Sequence, residues 1–233
     1  MVRYSKIENK NPREIILLRG FGCKWRKCTF CDYHLDSSKN EEENLKINRA
    51  AMGEVTGVYG HLEVINSGSF LELGETTLNE LVKLCEDKKI HTLHFECHYL
   101  YREGIPYWRE VFSKVGTTLK IKTGVETFDF DFREKVFKKG IDERNPEIIS
   151  EYFDECCLLF GIEGQTAASM EKDIETALEY FERVCVNIFV ANKTKIKPSP
   201  SVILEFKEKV MPKYVGDTRV DVLLNNTDFG VGE

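Results

Sequence analysis

The stretch GFGCKWRKCTFCDYH, Gly20 to His34, holds three cysteines at C-x4-C-x2-C spacing near the start of the chain. Thiolates bind soft metals, and three of them are one short of the closed four-ligand shell of a structural zinc site. Two chemistries fit that donor set. Zinc would recruit His34, which follows Cys31 at C-x2-H spacing, to complete a Cys3His site. An iron–sulfur cluster would place Cys23, Cys28 and Cys31 on three irons and leave a fourth iron open to a ligand that is not protein. Zinc knuckles stabilise small modules that lack a core, whereas this loop belongs to a chain long enough to build its own, so the cluster is the better fit.

A second group of chemically useful side chains lies on two strand-like runs. In LHFECH, alternation puts His94, Glu96 and His98 on one face and Leu93, Phe95 and Cys97 on the other. In LKIKTGVE, Lys120, Lys122, Gly124 and Glu126 oppose Leu119, Ile121 and Val125. With the apolar faces packed beneath helices, carboxylates, lysines and histidines share one cavity. Lys120 and His94 are expected to form a compensated ion network deep inside it. Glu96 and His98, nearer a strand end, are candidates for catalysis and substrate binding. Asn192 and Asp228 are candidate substrate contacts at the same opening, with a solvated loop and tail as the alternative. The alternating lysines of KTKIK, Lys193 to Lys197, read as hydrated rather than as a phosphate site.

These residues need a scaffold that gathers them, and the chain has one in outline. Strand-like runs start at Glu14 (EIILLRG), His61 (HLEVINSG), His91 (HTLHFECH), Thr118 (TLKIKTGVE), Glu155 (ECCLLFGIEG), Arg183 (RVCVNIFVAN) and Arg219 (RVDVLLNN). Helix-like segments alternate with them: TTLNELVKLCEDKK is apolar at Leu78, Leu81, Val82 and Cys85, and SMEKDIETALEYFERV at Met170, Ile174, Ala177, Leu178 and Phe181. That alternation is the mark of an α/β fold with a parallel sheet. It predicts a partial (β/α)6 TIM-like barrel in a single domain over residues 1–233, with the cluster loop at 21–35 and a tail at 215–233 closing the barrel mouth. Barrel enzymes gather their functional residues at the C-terminal ends of strands. Here the cysteines follow the first of the six β/α units, NSGSF the second, ECH the third, GVET the fourth, GIEGQT the fifth and ANKT the sixth.

Composition narrows the function classes. Apolar residues make up 42% of the chain and charged residues 31%, a globular balance with no sign of long disorder. The first fifteen residues lack a secretory h-region, and no run approaches the roughly 18 apolar residues that cross a bilayer. A cytoplasmic protein is expected, with Cys85, Cys97, Cys156, Cys157 and Cys185 as buried thiols rather than disulfides. A net charge of −6 opposes generic attraction to nucleic-acid phosphates.

Taken together, these motifs resemble the radical S-adenosylmethionine (SAM) superfamily. Its usual motif is C-x3-C-x-aromatic-C. Cys28-Thr29-Phe30-Cys31 matches the second half, with Phe30 in the aromatic place, and Cys23-x4-Cys28 is one residue longer than the first. NSGSF, Asn66 to Phe70, is similar to the Gly-rich stretch that holds the SAM amino group. GVETFDFDFREKVFKKG, from Gly124, looks like the branch that contains the Elongator catalytic subunit and the methylthiotransferases, where the residue matching Glu126 contacts SAM. FGIEGQT, from Phe160, resembles that branch's segment beside the adenine. The resemblance implies a 4Fe-4S cluster on Cys23, Cys28 and Cys31. It also implies a SAM site drawn from Phe30, Tyr33, Asn66, Ser67, Gly68, Ser69, Glu126, Ile162, Gln165 and Asn192. A 5′-deoxyadenosyl radical, an electron donor such as flavodoxin or ferredoxin, and oxygen sensitivity follow from it.

Within the superfamily the chain most resembles the queuine lyases, on GCKWRKCTFCDYH, NSGSFLE, GVETFDFDFREKVFKKG, FGIEGQT and VNIFVANKT in one short barrel. The implied reaction removes queuine's cyclopentenediol by carbon–nitrogen cleavage and releases 7-aminomethyl-7-deazaguanine for queuosine salvage. Glu96 or Asp228 suits the donor edge of such a base, with His98 and Asn192 as further contacts. Cys97 is a candidate hydrogen donor to a product radical, although its outward parity also suits the core. Three alternatives stay open: a glycyl-radical activating enzyme, a tRNA-modifying radical SAM enzyme, and a non-catalytic zinc-binding interaction protein. No RNA-binding appendage or basic surface is recognisable, which favours a small-molecule substrate over stable nucleic-acid binding.

Overall fold

Aliphatic and β-branched runs suit strands buried on both faces, and they build most of the sheet. The computed structural model describes residues 2–224, so Asp228 and residues 225–233 of the expected tail lie outside the described residues. Its strands are β1 (Tyr4–Ile7), β2 (Arg13–Leu18), β3 (His61–Asn66), β4 (Thr92–Glu96), β5 (Thr118–Glu126), β6 (Glu155–Phe160), β7 (Arg183–Ile188) and β8 (Val220–Leu223). Its helices are α1 (Glu41–Gly53), α2 (Glu75–Lys88), α3 (Ile105–Ser113), α4 (Pro146–Ser150), α5 (Ala167–Tyr180), α6 (Pro200–Glu205) and α7 (Met211–Tyr214). The chain forms two compact units, Met1–Lys24 with Tyr33–Lys122, and Trp25–Asp32 with Thr123–Glu233. Strand β5 passes from the first into the second.

In the first unit β2, β3, β4 and β5 pair in parallel and in chain order. Their apolar residues, including Ile16, Leu62, Val64, Leu93, Phe95 and Ile121, are buried. Phe95 stacks on Phe70 at 4.8 Å and meets Phe112 of α3 edge-on at 6.1 Å, so this face of β4 lies under helical segments as its alternation predicts. Each such side chain contributes about 1.5–3 kcal/mol when fully buried. Asn40 caps α1 by accepting from Glu42 N and Glu43 N, and three glutamates in the first turn complement the helix dipole.

Strand β1 goes beyond the sequence-based expectation. YSKI is too short and too mixed in polarity to carry a periodic signal. It pairs antiparallel with β2 from Tyr4↔Ile16 to Ile7↔Arg13, which covers an edge that would otherwise be open. The Tyr4 hydroxyl donates to Glu14 Oε1 at 2.7 Å, and the same buried carboxylate accepts from Thr56 N, Thr56 Oγ1 and Gly57 N.

In the second unit β6, β7 and β8 are parallel neighbours and continue the order from β5. Every residue of β6 is buried, and Met170, Ile174 and Ala177 of α5 are buried as the periodicity predicts. Thr166 caps α5 by accepting from Ser169 N, while Ser169 Oγ accepts from Thr166 N. The alternation of strands and helices in both units is the α/β architecture read from the sequence. Among the described residues no helix is long and apolar enough to cross a membrane.

Candidate active site

The cysteine loop leaves β2 and closes at its base in the first unit, where Gly20 bridges Ser37 and Ser38 N donates to Gly20 O. Asp36 anchors the returning chain: Arg3 donates to both of its carboxylate oxygens at 2.9 Å, and its carbonyl accepts from Ser67 Oγ at 2.7 Å. Ser67 belongs to the Asn66–Phe70 segment after β3. That segment reaches Cys23 directly, since a Cβ on Gly68 would lie 3.2 Å from both Cα and N of Cys23. A side chain there would press the Cys23 backbone back by a few tenths of an ångström.

Asn66 is the buried polar group of this segment. Its Nδ2 donates to Ser69 O at 3.1 Å, while its buried Oδ1 accepts no hydrogen bond from the described residues. A buried acceptor left open is costly unless a ligand serves it. An ammonium or amide N–H, as in the amino-acid end of SAM, fits it.

The other two loop cysteines belong to the second unit, with a different set of anchors. Thr29 N donates to Phe137 O and Thr29 Oγ1 to Val136 O, and the Trp25 indole donates to Lys138 O at 2.8 Å. Phe30 packs edge-on against Phe137 at 5.2 Å, and its carbonyl accepts from Asn192 Nδ2 at 2.7 Å. Asn192 Oδ1 accepts from Thr194 N and Oγ1, so this side chain is committed to holding loops. Glu126, at the end of β5, has a left-handed backbone (φ 69°) and pairs with Lys139 at 2.7 Å. Burial opposes the charge of Lys139, but Glu126, Cys28 and Cys31 outweigh it and hold the ammonium above its ordinary range. A cation beside two loop sulfurs complements the negative charge that thiolates carry when they bind a metal.

Cys23, Cys28 and Cys31 are half-exposed, whereas Cys85, Cys97, Cys156, Cys157 and Cys185 are buried. Among the described residues no three His, Cys, Asp or Glu side chains are gathered as a metal-binding group. The fit to a cluster therefore rests on the donor set: three accessible thiols in one loop, with Lys139 beside two of them.

The charged faces of β3, β4 and β5 come together in the first unit. Glu63 and Lys120 flank His94 in register, and Glu96 faces Lys122. Buried Glu63 bridges Arg13 at 2.5 Å and Lys122, and Lys122 also reaches Glu96 at 4.0 Å. The ion network expected of this face forms chiefly around Glu63 and Arg13, which sequence reasoning did not single out. Nothing local in HLEVIN distinguishes an inward glutamate from a solvated one. Glu96 is the accessible member of the set, with its side chain 38% exposed against 5% for Glu63.

At the end of β4, Cys97 is 3% exposed, and burial pushes its thiol well above the ordinary range despite a hydrogen bond with Ser69. It stays an S–H. His98 N donates to Ser69 Oγ at 2.9 Å, and His98 Nδ1 accepts from Leu100 N at 3.1 Å. In the second unit Gln165 is occupied at both ends, by Leu159 O and Ile162 N, and Ile162 packs with Phe137, Leu159 and Phe189. Tyr33 is exposed. Lys139 and the buried carboxylate Glu72 carry no motif of their own in the sequence.

No protein-family profile and no curated protein matches the chain. Two of the solved structures similar to it bear on the reading. Streptococcus suis SuiB, bound to precursor peptide SuiA, has a TM-score of 0.53 at 14% identity, over 89% of this chain and 48% of that one, a likeness of fold alone. A queuine lyase from Clostridium spiroforme, bound to SAM and queuine, has a TM-score of 0.93 at 43% identity over 99% of both chains. With the cysteine loop and the β/α order already described, this makes the chain a radical SAM enzyme with a partial-barrel fold. Identity of that extent assigns it further: the chain belongs to the queuine lyase family.

Proposed function

We propose that this chain is a lyase that breaks the carbon–nitrogen bond between queuine's cyclopentenediol and its aminomethyl group, releasing 7-aminomethyl-7-deazaguanine for queuosine salvage. The observation that carries the reading is the 43% identity to the C. spiroforme queuine lyase across 99% of both chains. Cys23, Cys28 and Cys31 would hold a 4Fe-4S cluster, with SAM on Asn66, Ser67, Gly68, Ser69 and Glu126. When bound, that pair supplies a 5′-deoxyadenosyl radical after one electron arrives from a donor such as flavodoxin or ferredoxin.

The protein's own part is to orient reactants and exclude water. Asn66 Oδ1 offers an acceptor to the ammonium of SAM, and Glu126, held by Lys139, offers a second. Phe30, Tyr33, Ile162, Gln165 and Asn192 are the further candidates for holding SAM, Asn192 through its bond to Phe30 O. Glu96 presents acceptor oxygens suited to the N–H and amino edge of a deazaguanine, with His98 as a further contact, while Asn192 is taken up by Phe30 and Thr194 and Asp228 is a candidate outside the described residues. Cys97, kept protonated by burial, suits delivery of a hydrogen atom better than nucleophilic attack. Reduced buried thiols suit a cytoplasmic setting.

The test is anaerobic. The chain is reconstituted with iron and sulfide, dithionite, SAM and queuine are added, and 5′-deoxyadenosine and 7-aminomethyl-7-deazaguanine are followed by mass spectrometry. Both products are expected, both lost in Cys31→Ala, with a raised KM for queuine in Glu96→Gln. Deoxyadenosine without the deazapurine would overturn the substrate, and neither product from a fully loaded cluster would overturn the reaction class.

A further inference from the structure

Glu72 is a buried carboxylate on the 3-10 turn Phe70–Glu72, just after the Asn66–Phe70 segment begins to turn. It accepts hydrogen bonds from three separate places in the first unit. Oε1 accepts from Lys24 N at 2.6 Å and from the Tyr101 hydroxyl at 2.9 Å, and Oε2 accepts from Ser69 N at 2.7 Å. Its backbone carbonyl accepts from Phe21 N at 2.9 Å. Phe21 and Lys24 bracket Cys23, so one residue holds both ends of the tetrapeptide that carries the first cysteine of the loop.

The packing is as tight as the hydrogen bonding. A Cβ on Gly68 would run into Glu72 Oε2 as well as the Cys23 backbone, and one on Gly20 would lie 2.6 Å from Glu72 O. The two backbone contacts to the Glu72 carboxylate, at 2.6 and 2.7 Å, lie at the short end of the N–H···O range. Burial, reinforced by the Glu72 carboxylate, holds the Tyr101 phenol well above its ordinary range, so it remains a donor.

We propose that Glu72 is a positioning residue: it fixes Cys23 against the Asn66–Phe70 segment, so that the thiol and the loop that would hold SAM keep one spacing. The inference rests on the reading of these two segments as cluster and SAM sites. Glutamine has the same shape but a single acceptor oxygen. In Glu72→Gln either the Ser69 N–H or the Lys24 N–H must face an amide NH2, and one of the two segments is released.

The experiment compares the whole reconstituted protein with Glu72→Gln, Glu72→Asp and Tyr101→Phe. It measures iron and sulfide content, the EPR spectrum of the reduced cluster with and without SAM, the Kd for SAM, and the melting temperature of each apo chain. Glu72→Gln is expected to bind SAM roughly tenfold more weakly and to lose most of the SAM-induced change in line shape. Its apo chain should melt within about 5 °C of wild type. Tyr101→Phe, which removes a donor and leaves both backbone clamps, should keep SAM affinity within about twofold. Wild-type affinity and line shape in Glu72→Gln would overturn the role of Glu72. So would a Tyr101→Phe loss as large as that of Glu72→Gln, or a collapse of the apo fold in both Glu72 variants, which would mark a plain folding role. Absence of any SAM effect on the wild-type spectrum would instead overturn the radical SAM reading itself.

Discussion

At the scale of single residues, the pair at the end of β5 shows how backbone and charge are traded for position. Glu126 adopts a left-handed conformation, which costs a residue with a side chain about 1–2 kcal/mol, and its carboxylate meets Lys139 at 2.7 Å. Gly124 leaves the room for this meeting, because a Cβ there would run into Glu126 Oε1 and lie 2.7 Å from Lys139 Nζ. Both obstructing atoms are the far ends of side chains. Gly124→Ala is therefore expected to fold normally while pushing the ion pair apart. Its Kd for SAM, measured by equilibrium dialysis on the reconstituted protein, should rise roughly fivefold, the equivalent of about 1 kcal/mol. Unchanged affinity would remove Glu126 from the SAM site. Glu126 was legible because it closes a recognisable strand motif. Lys139 was not, since its meaning depends on a π-helical turn, Phe132–Phe137, that bends it back toward β5.

At the scale of elements, α5 supports that same loop through a buried acid. Asp173 accepts from Phe128 N at 2.8 Å, just beyond β5, and burial pushes its carboxyl from 3.8 up to about 6, against the hydrogen bonds from Phe128 and Thr127. A raised folded-state pKa means that the native chain holds the proton more tightly than the unfolded chain. The resulting stabilisation is full below about pH 4 and is lost as pH rises through about 6. Asparagine can still accept from Phe128 N but does not titrate. The stability of wild type relative to Asp173→Asn should thus fall by on the order of 2–3 kcal/mol between pH 4 and pH 6, then stay level. Urea unfolding of the two apo chains across that range checks it, and a difference independent of pH would refute it. Elements such as α5, β6 and β7 were readable from the sequence because their burial follows a period or fills a whole run. β1 was hidden for the opposite reason: its stability comes from pairing with β2 and from Tyr4 meeting Glu14, neither of which leaves a local pattern. The Glu72 clamp was hidden likewise, because a carboxylate that reaches back to Lys24 looks in sequence like any surface glutamate.

At the scale of the whole molecule, charge separates the two substrates that carry queuine's chemistry, the free base and a modified tRNA. The chain has a net charge of −6, and its exposed cations in the cysteine loop, Lys24, Arg26 and Lys27, are few beside that excess. An enzyme that grips RNA through six or more phosphates loses about a thousandfold or more in affinity between 50 and 200 mM salt, because each contact releases counterions. A small neutral or singly charged base released from such constraints is bound by short-range hydrogen bonds and stacking, which salt screens little. Turnover of free queuine by the reconstituted enzyme, expressed as kcat/KM, should therefore change by less than about twofold over that range of potassium chloride. Queuosine-bearing tRNA at equal concentration should be left intact. The same assay run on both substrates decides the matter: cleavage confined to the tRNA, with a steep salt slope, would mean that the acidic exterior conceals a local phosphate-binding surface and that the lyase acts on the polymer rather than on the base.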